Sequence, residues 1–311
     1  MTVDATAPPA PPEKPALHPT IGVPETLRAV ARNILTEGRT ALSDRTLPDA
    51  EAVHDFRKAM KRWRAFLRLL QPFLGDEGRR MRLEAAALAR SLAGARDATT
   101  ALDALADMTK HNDALAPRSI ATIKARIDTL RVAAEGVSLT DETRARIVAV
   151  LADAEQSLKF WPLAAVGYRQ VASELSNGYR RARDAVPKDW MAADADTLHE
   201  LRKRVVIHRY QMEIIEPLWP RFAQFWVGEA QRLRDRLGHH QDLVTFAHLT
   251  NPHQPLVRWR SRLTPLIDAR RAEHVRAAAR IATRLFADSP KAFRHRLLAL
   301  WEPDPPTNPL A

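Results

Sequence analysis

A cationic, amphipathic segment occurs twice in this chain at a constant offset, and any fold must accommodate both copies. The first is VHDFRKAMKRWRAFLRLLQPFL, residues 53–74, and the second is LHELRKRVVIHRYQMEIIEPLW, residues 198–219. Adding 145 to each position of the first aligns the two without a gap. His54 falls on His199, Asp55 on Glu200, Arg57 on Arg202, Lys58 on Lys203, Arg64 on Arg209 and Pro72 on Pro217. The register continues from Glu84 to Glu229, Leu88 to Leu233, Leu92 to Leu237 and Asp97 to Asp242. Agreement at charged and apolar positions together, held over about forty residues, indicates an internal duplication.

On a helix at 100° per residue the first copy divides into two faces. Phe56, Met60, Trp63, Phe66, Leu67 and Leu70 share one face. His54, Arg57, Lys58, Lys61, Ala65 and Arg68 share the other, with Arg64 at its edge. Asp55 is the only acid between His54 and Arg68. One face is therefore expected in the core, and the opposite one carries a dense cationic stripe. In the second copy Val206 and Glu213 stand where the first has Lys61 and Arg68, so that stripe is thinner. His208 projects onto the apolar face and is expected to be a core residue.

The charge of the whole chain points the same way. Lysine and arginine number 48 against 37 acids, a net charge of +11, which calls for an anionic partner: nucleic acid, an anionic surface or a phosphate polymer. The chain has no cysteine, which excludes disulfides and thiolate chemistry and fits a cytoplasmic setting. No signal peptide is read at the N-terminus, and no uncharged apolar run is long enough to span a bilayer.

Taken in order, residues 1–20 are rich in Pro and Ala and read as a disordered or polyproline-like tail. A first helix is expected after Pro24 and past Gly38 and Arg39, followed by a loop over 43–50 and the basic helix. A break at 75–78 precedes a long helix from about residue 79 to 108. Further helices are expected over 118–134, from a capping box at Ser138 and Asp141 to residue 160, and over 163–186. After a loop at 187–196 comes the second basic helix, then helices broken at Gly238, Pro252, Pro255, Pro265 and Pro290. Residues 303–311 are Pro-rich again. Alternating strand patterns are absent, so the fold class is all-α.

With these motifs in place the sequence resembles the CHAD family, the conserved histidine α-helical domain. The resemblance rests on His54-x-x-Arg57-Lys58 and His199-x-x-Arg202-Lys203. It rests also on Leu92-x-x-x-Arg96-Asp97 and Leu237-Gly238-x-x-Gln241-Asp242, similar to that family's L-G-x-x-R-D element, and on Tyr179-Arg180-Arg181-Ala182-Arg183, similar to its Y-R-R-G-R element. Ala93, Gln241 and Ala182 depart from those patterns. The resemblance covers residues 21–302, with halves at about 21–160 and 161–302. It implies two helical bundles related by a pseudo-twofold, a basic central cavity, and binding of inorganic polyphosphate. Some members carry a fused triphosphate-processing domain, of which this sequence shows no trace.

The residues support that expectation on physical grounds. Polyphosphate is a flexible chain with about one negative charge per phosphate and no base edges to read. Cations at i, i+3 and i+4 repeat with the 5.4 Å pitch of a helix, on the scale of a few phosphates. Arginine forks take two oxygens at once, lysine acts as a point charge, and released counterions supply affinity. The candidate polyphosphate-binding residues are His54, Arg57, Lys58, Lys61, Arg64, Arg68, His199, Arg202, Lys203 and Arg209, with Arg39, Arg180 and Arg183 from the flanking elements. Against them stands the ordinary possibility of a solvated helix face, the better reading of one copy alone; the repetition at offset 145 reverses that preference. The two histidines have an equal rival role as structural contacts near a helix start.

No Walker loop, G-x-S-x-G, HExxH or cysteine nucleophile is present, so neither catalysis nor a metal or cofactor is expected. His239 and His240 are adjacent and about 100° apart on a helix, which keeps them from one metal. The expected function is polyphosphate binding at intracellular granules. The alternatives are a nucleic-acid-associated basic protein bridging DNA and granules, and a phosphohydrolase.

Overall fold

The computed structural model describes residues 15–92, 96–110, 114–134 and 139–301, and every regular element among them is helical. The ten α-helices are α1 (Val23–Ser43), α2 (Asp49–Ser91), α3 (Arg96–Lys110), α4 (Pro117–Ala134), α5 (Asp141–Ser157), α6 (Tyr168–Asp184), α7 (Ala195–Met212), α8 (Pro220–His248), α9 (Arg260–Leu285) and α10 (Pro290–Ala299).

The amphipathic patterns decide the packing. Leu27, Val30, Ala31, Ile34 and Leu35 bury one face of α1 against α2 and α5. The apolar face of α2 is buried as the pattern requires: Phe56, Met60 and Leu70 are fully buried, and Trp63 stacks on Trp161 with ring centroids 5.9 Å apart. Asp194 caps α7 by accepting from the Thr197 N–H at 2.7 Å, and Ser289 caps α10 by accepting from Ala292 N–H at 3.1 Å, with Pro290 in the first turn.

Helix α2 contains a reversal. Gly75 has φ 56° and ψ −133°, a backbone conformation that a side chain disfavours, while a Cβ there would meet nothing within 4 Å. The constraint is conformational and not spatial. Beyond it the helix returns alongside its own first arm, so Met60 and Trp63 share a cleft with Met81, Ala85 and Leu88. The second basic helix makes a corresponding reversal. It ends at Met212 in a 3₁₀ segment, Glu213–Leu218, and α8 then packs back against α7.

Two apolar cores result. The larger joins α1, α2, α5, α6, α7, α10, the first part of α8 and the last part of α9. The smaller lies among α3, α4, the end of α8 and the start of α9, around Leu105, Ile123, Phe246 and Leu263. So α3, early in the chain, packs on α8 and α9. Asp107 of α3 takes both Nε and Nη2 of Arg270, at 2.8 and 2.6 Å, and His274 Nε2 at 2.8 Å. Burial alone would push the Asp107 carboxyl up, but Arg270 and His274 hold it well below its ordinary value.

Several expectations need correction. The helix expected over 79–108 is two: α2 ends at Ser91 and α3 begins at Arg96. The helix after Pro162 begins only at Tyr168, where the Gln170 side chain accepts from Gly167 N–H at 2.8 Å. Gly238 and Pro265 do not break α8 and α9. Pro265 is exposed and near the helix start, where its missing N–H strands only the carbonyl of exposed Ser261. The capping box at Ser138 lies outside the described residues; Thr140 caps α5 instead, accepting from Thr143 N–H at 3.1 Å. Leu17, inside the expected N-terminal tail, is fully buried and donates its N–H to Ile214 O at 2.8 Å. Most of both expected tails, 1–14 and 302–311, lies outside the described residues.

Candidate functional site

The two basic helices meet where the cationic face of α2 carries an alanine. Ala65 is fully buried, and its carbonyl accepts from the Gln211 side chain of α7 at 3.2 Å. Beside this contact the walls of α2, α3, α7 and α8 enclose a cavity of about 1600 Å³. That is larger than the ~300–1,000 Å³ of ordinary small-molecule pockets, and suits an extended ligand.

Ten of the thirteen candidate residues line it. From α2 come His54, Arg57, Lys58, Lys61, Arg64 and Arg68, and from α7 come His199, Arg202, Lys203 and Arg209. Arg82 and Arg234 add two more cations, giving ten lysines and arginines against the carboxylates of Asp49, Asp103, Glu216, Asp235 and Asp242. The remaining three candidates do not line the cavity. Arg39 pairs with Glu155 at 2.8 Å. Arg180 donates to Asn177 Oδ1 at 3.1 Å, and Arg183 Nε donates to Phe286 O at 3.2 Å. Tyr179, between buried aromatic rings, donates to Asp288 O at 2.9 Å, and its hydroxyl is pushed up to about 12 chiefly by burial. Tyr179 and Arg183 of this motif thus fasten α6 to the connection between α9 and α10.

Arg57 and Arg202, which open the two stripes, are each held against a neighbouring segment. Arg57 Nη1 donates to Leu92 O at 3.2 Å, tying the start of the stripe to the end of α2. In the second copy a Cβ at Gly238 would lie 3.4 Å from Arg202 Nη2, so Arg202 rests against α8 one residue after Leu237. The glycine allows that approach. Acids on and after α7 pair with several of its cations. Glu200 takes Arg204 at 2.7 Å and Lys203 at 3.5 Å, and Glu213 takes Arg209 at 2.9 Å, while Arg209 also lies 4.1 Å from the Tyr210 ring.

The most crowded cation is Arg68. Burial, then Arg82, Arg204, Arg181 and Arg64, push its guanidinium down to about 10. Arg64 is lowered by burial, Arg82 and Arg90. His199 is half-buried, its Nδ1 has no hydrogen-bond partner, and burial followed by Lys203 and Arg202 lowers its pKa. The structure therefore gathers positive charge in a partly desolvated space, an arrangement that an anion stabilises.

His208 is the core residue its position implies. It is fully buried, and its Nε2 accepts from Trp226 Nε1–H at 2.8 Å. Burial pushes its pKa down to about 3, so the ring is neutral. His239 faces the cavity and His240 turns away to Arg271. Among the described residues no three His, Asp or Glu side chains gather as a metal site, and no helix is long and apolar enough to cross a membrane. Ala93 and the side chains of Arg96 and Asp97 lie outside the described residues.

Sequence reasoning missed Arg82 and Arg234 in the cavity wall, and Arg181 and Arg204 near Arg68. Arg82 and Arg234 have Val227 and Ala89 at offset 145, so the repeat could not reveal them. Arg82 reaches the site only through the reversal at Gly75.

Comparison with known proteins agrees with this architecture. Among curated proteins none matches. The solved CHAD domain from the plant Ricinus communis superposes with a TM-score of 0.54 at 21% identity, covering 94% of this chain and 98% of that one. PptA from Streptomyces chartreusis superposes with a TM-score of 0.56 at 19% identity, covering 86% of this chain and 100% of that one. At these identities the likeness speaks for the fold alone. The CHAD domain model matches residues 25–251, most of the sequence, and the chain belongs to the CHAD domain family.

Proposed function

We propose that this protein binds inorganic polyphosphate in the cavity between α2, α3, α7 and α8, as a binding module without chemistry of its own, at intracellular polyphosphate granules. The observation that carries this reading is the environment of Arg68. Cations in a folded protein are ordinarily paired with acids, whereas among the described residues Arg68 has no carboxylate partner and is pushed down by burial and by Arg82, Arg204, Arg181 and Arg64. A polyanion supplies the missing counter-charge. Arg57, Lys58, Lys61, Arg64 and Arg68 follow one another along a rigid helix, which matches a linear ligand with a regular charge repeat. Family membership supports the same ligand. The paired reversals, and Arg57 and Arg202 each held against a neighbouring segment, support a duplicated site with two stripes facing one ligand.

The test is a titration of the protein with long-chain polyphosphate and with DNA across a salt series. Polyphosphate is expected to bind, to weaken steeply with salt as counterions are released, and to displace DNA at lower phosphate equivalents. A flat salt response, or DNA winning the competition, rejects the proposal. Phosphate release by the pure protein with a divalent metal would reject a purely binding role.

A further inference from the structure

We propose that five arginines from three helices form a distinct subsite at one end of the stripe, built for a doubly charged terminal phosphate and not for the singly charged interior of a chain. The inference rests on the polyphosphate reading and deepens it. Arg64 and Arg68 end the stripe on α2, and Arg82 faces the same cavity from the returning arm beyond Gly75. Arg181 of α6 and Arg204 of α7 stand close enough to Arg68 to repel its charge. Among the described residues Arg204 alone of the five has a carboxylate partner, Glu200 at 2.7 Å. The Nε of Arg82 is buried and has no hydrogen-bond partner among the described residues.

This geometry differs from the rest of the stripe. Arg57, Lys58 and Lys61 are strung along a helix axis, which suits one charge per phosphate. Arg64, Arg68 and Arg82 face one cavity from the two arms of α2, and Arg181 and Arg204 stand close enough to Arg68 to act on its charge, so positive charge concentrates at this end of the stripe. An interior phosphate offers a single charge and two free oxygens. A terminal phosphate offers three free oxygens and, above its second ionisation near pH 6, nearly two charges. Guanidinium forks can each take two of those oxygens. The converging cluster therefore favours chain ends, and a long chain binds with one end anchored beside Arg68 and its interior laid along the stripe. Pyrophosphate, with two such ends, presents the same chemistry in free form.

The experiment titrates the full chain, and its Arg82→Gln variant, with three ligands: uncapped polyphosphate, the same polyphosphate capped at both ends through phosphoramidate links, and pyrophosphate. Arg82 has no ion pair to lose among the described residues, and an unchanged thermal midpoint checks that the variant folds. Capping is expected to weaken binding to the wild type about tenfold, the loss of one charge-assisted contact. Arg82→Gln should weaken the uncapped chain comparably and become indifferent to capping. Pyrophosphate should bind the wild type more tightly than the variant, and more tightly as pH rises from about 5.5 to 7.5 and its ends ionise. Equal wild-type affinity for capped and uncapped chains overturns the subsite and leaves the polyphosphate reading standing. Arg82-dependent binding of pyrophosphate without binding of long chains does the reverse. No binding of either overturns both. The capping comparison uses the wild type alone, so a misfolded variant does not remove the test.

Discussion

The side-chain amide of Gln211 on α7 donates to the backbone carbonyl of Ala65 on α2, at 3.2 Å and fully out of solvent. This is where the two cationic helices touch. Any longer side chain at position 65 would hold them apart, and the cavity beside the contact would change shape. The same Gln211 lies against Gly178 of α6, where an added Cβ would collide with its Oε1. One buried amide thus sets the spacing of three helices, and the mouth of the cationic site depends on it.

Gly178→Ala is therefore expected to destabilise the protein although it improves helix propensity. The propensity gain is about 1 kcal/mol. Overpacking costs about 1–3 kcal/mol, and displacing the Gln211 amide loses a buried hydrogen bond worth about 1 kcal/mol more. A double-mutant cycle with Gln211→Ala checks the cause by denaturant unfolding. The glycine substitution should cost less in the Gln211→Ala background. Equal cost in both backgrounds would place the strain elsewhere.

Lys58 and Arg57 separate binding from stability. Lys58 is exposed at the cavity wall, so Lys58→Glu should leave stability within about 0.5 kcal/mol while weakening polyphosphate binding. Arg57 also holds the Leu92 carbonyl, so Arg57→Glu should weaken binding and cost about 1–2 kcal/mol of stability. Thermal melts beside binding titrations read both. Unchanged binding in a folded Lys58→Glu variant would remove the stripe from the site.

Legibility in the sequence followed the kind of physics each residue depends on. The burial of Phe56, Met60 and Trp63, the neutral core role of His208 and the helical class all follow from periodicity, which is local. Ten cavity-lining candidates followed from charge periodicity reinforced by the repeat. Arg82 did not, because its place depends on a chain reversal at Gly75 whose direction no local pattern encodes. Arg39, Arg180 and Arg183 look alike in sequence to the cations of the site, yet each serves a neighbouring acid, amide or carbonyl set by tertiary packing. Ala65 sat on the cationic face by angle, and only the crossing of α7 explains why that position is small and buried.

Stability should fall as pH drops below about 6.5, the ordinary value for histidine. His208, down to about 3, and His240, down to about 4, stay neutral in the folded chain, chiefly because they are buried. Their stabilising effect is complete above the unfolded value and is lost as pH falls from there toward the folded values. In that window the unfolded chain binds protons that the folded chain refuses. Each histidine then contributes a slope of about 1.4 kcal/mol per pH unit. Asp107 acts lower, since its depressed pKa loses stability only below the ordinary carboxylate range. Urea unfolding at pH 7, 6 and 5 reads the slope, and constant stability across that range would show that both rings take up protons in the folded chain as readily as in the unfolded one.

Binding should respond to pH with the opposite sign. His199 is held below its ordinary value by burial and by Lys203 and Arg202, and a bound polyanion offsets both cations. Its pKa then rises on binding, a proton is taken up, and affinity increases as pH falls from about 8 to 6. Polyphosphate capped at both ends keeps a constant charge over that range, so the titration uses capped chains and only the histidines carry the response. A His54→Gln/His199→Gln double variant should lose the pH dependence. If it keeps the dependence and melts earlier, the histidines are structural.

The pairing of two unequal stripes predicts a dependence on chain length. The α2 stripe brings five cations to the cavity, Arg57, Lys58, Lys61, Arg64 and Arg68, whereas α7 brings three, Arg202, Lys203 and Arg209, and Glu200 and Glu213 pair with the last two. A short oligophosphate should therefore sit on α2. A longer chain also reaches Arg202 and Lys203 across the same cavity, and that second contact is intramolecular, at high effective concentration. Affinity should rise with length until both helices are spanned and flatten beyond it. Arg202→Ala with Lys203→Ala should weaken long chains much more than short ones, because the α2 stripe is untouched. Titration of wild type and double variant with size-fractionated polyphosphate measures this directly. Equal losses at every length would mean that the two helices do not engage one ligand together.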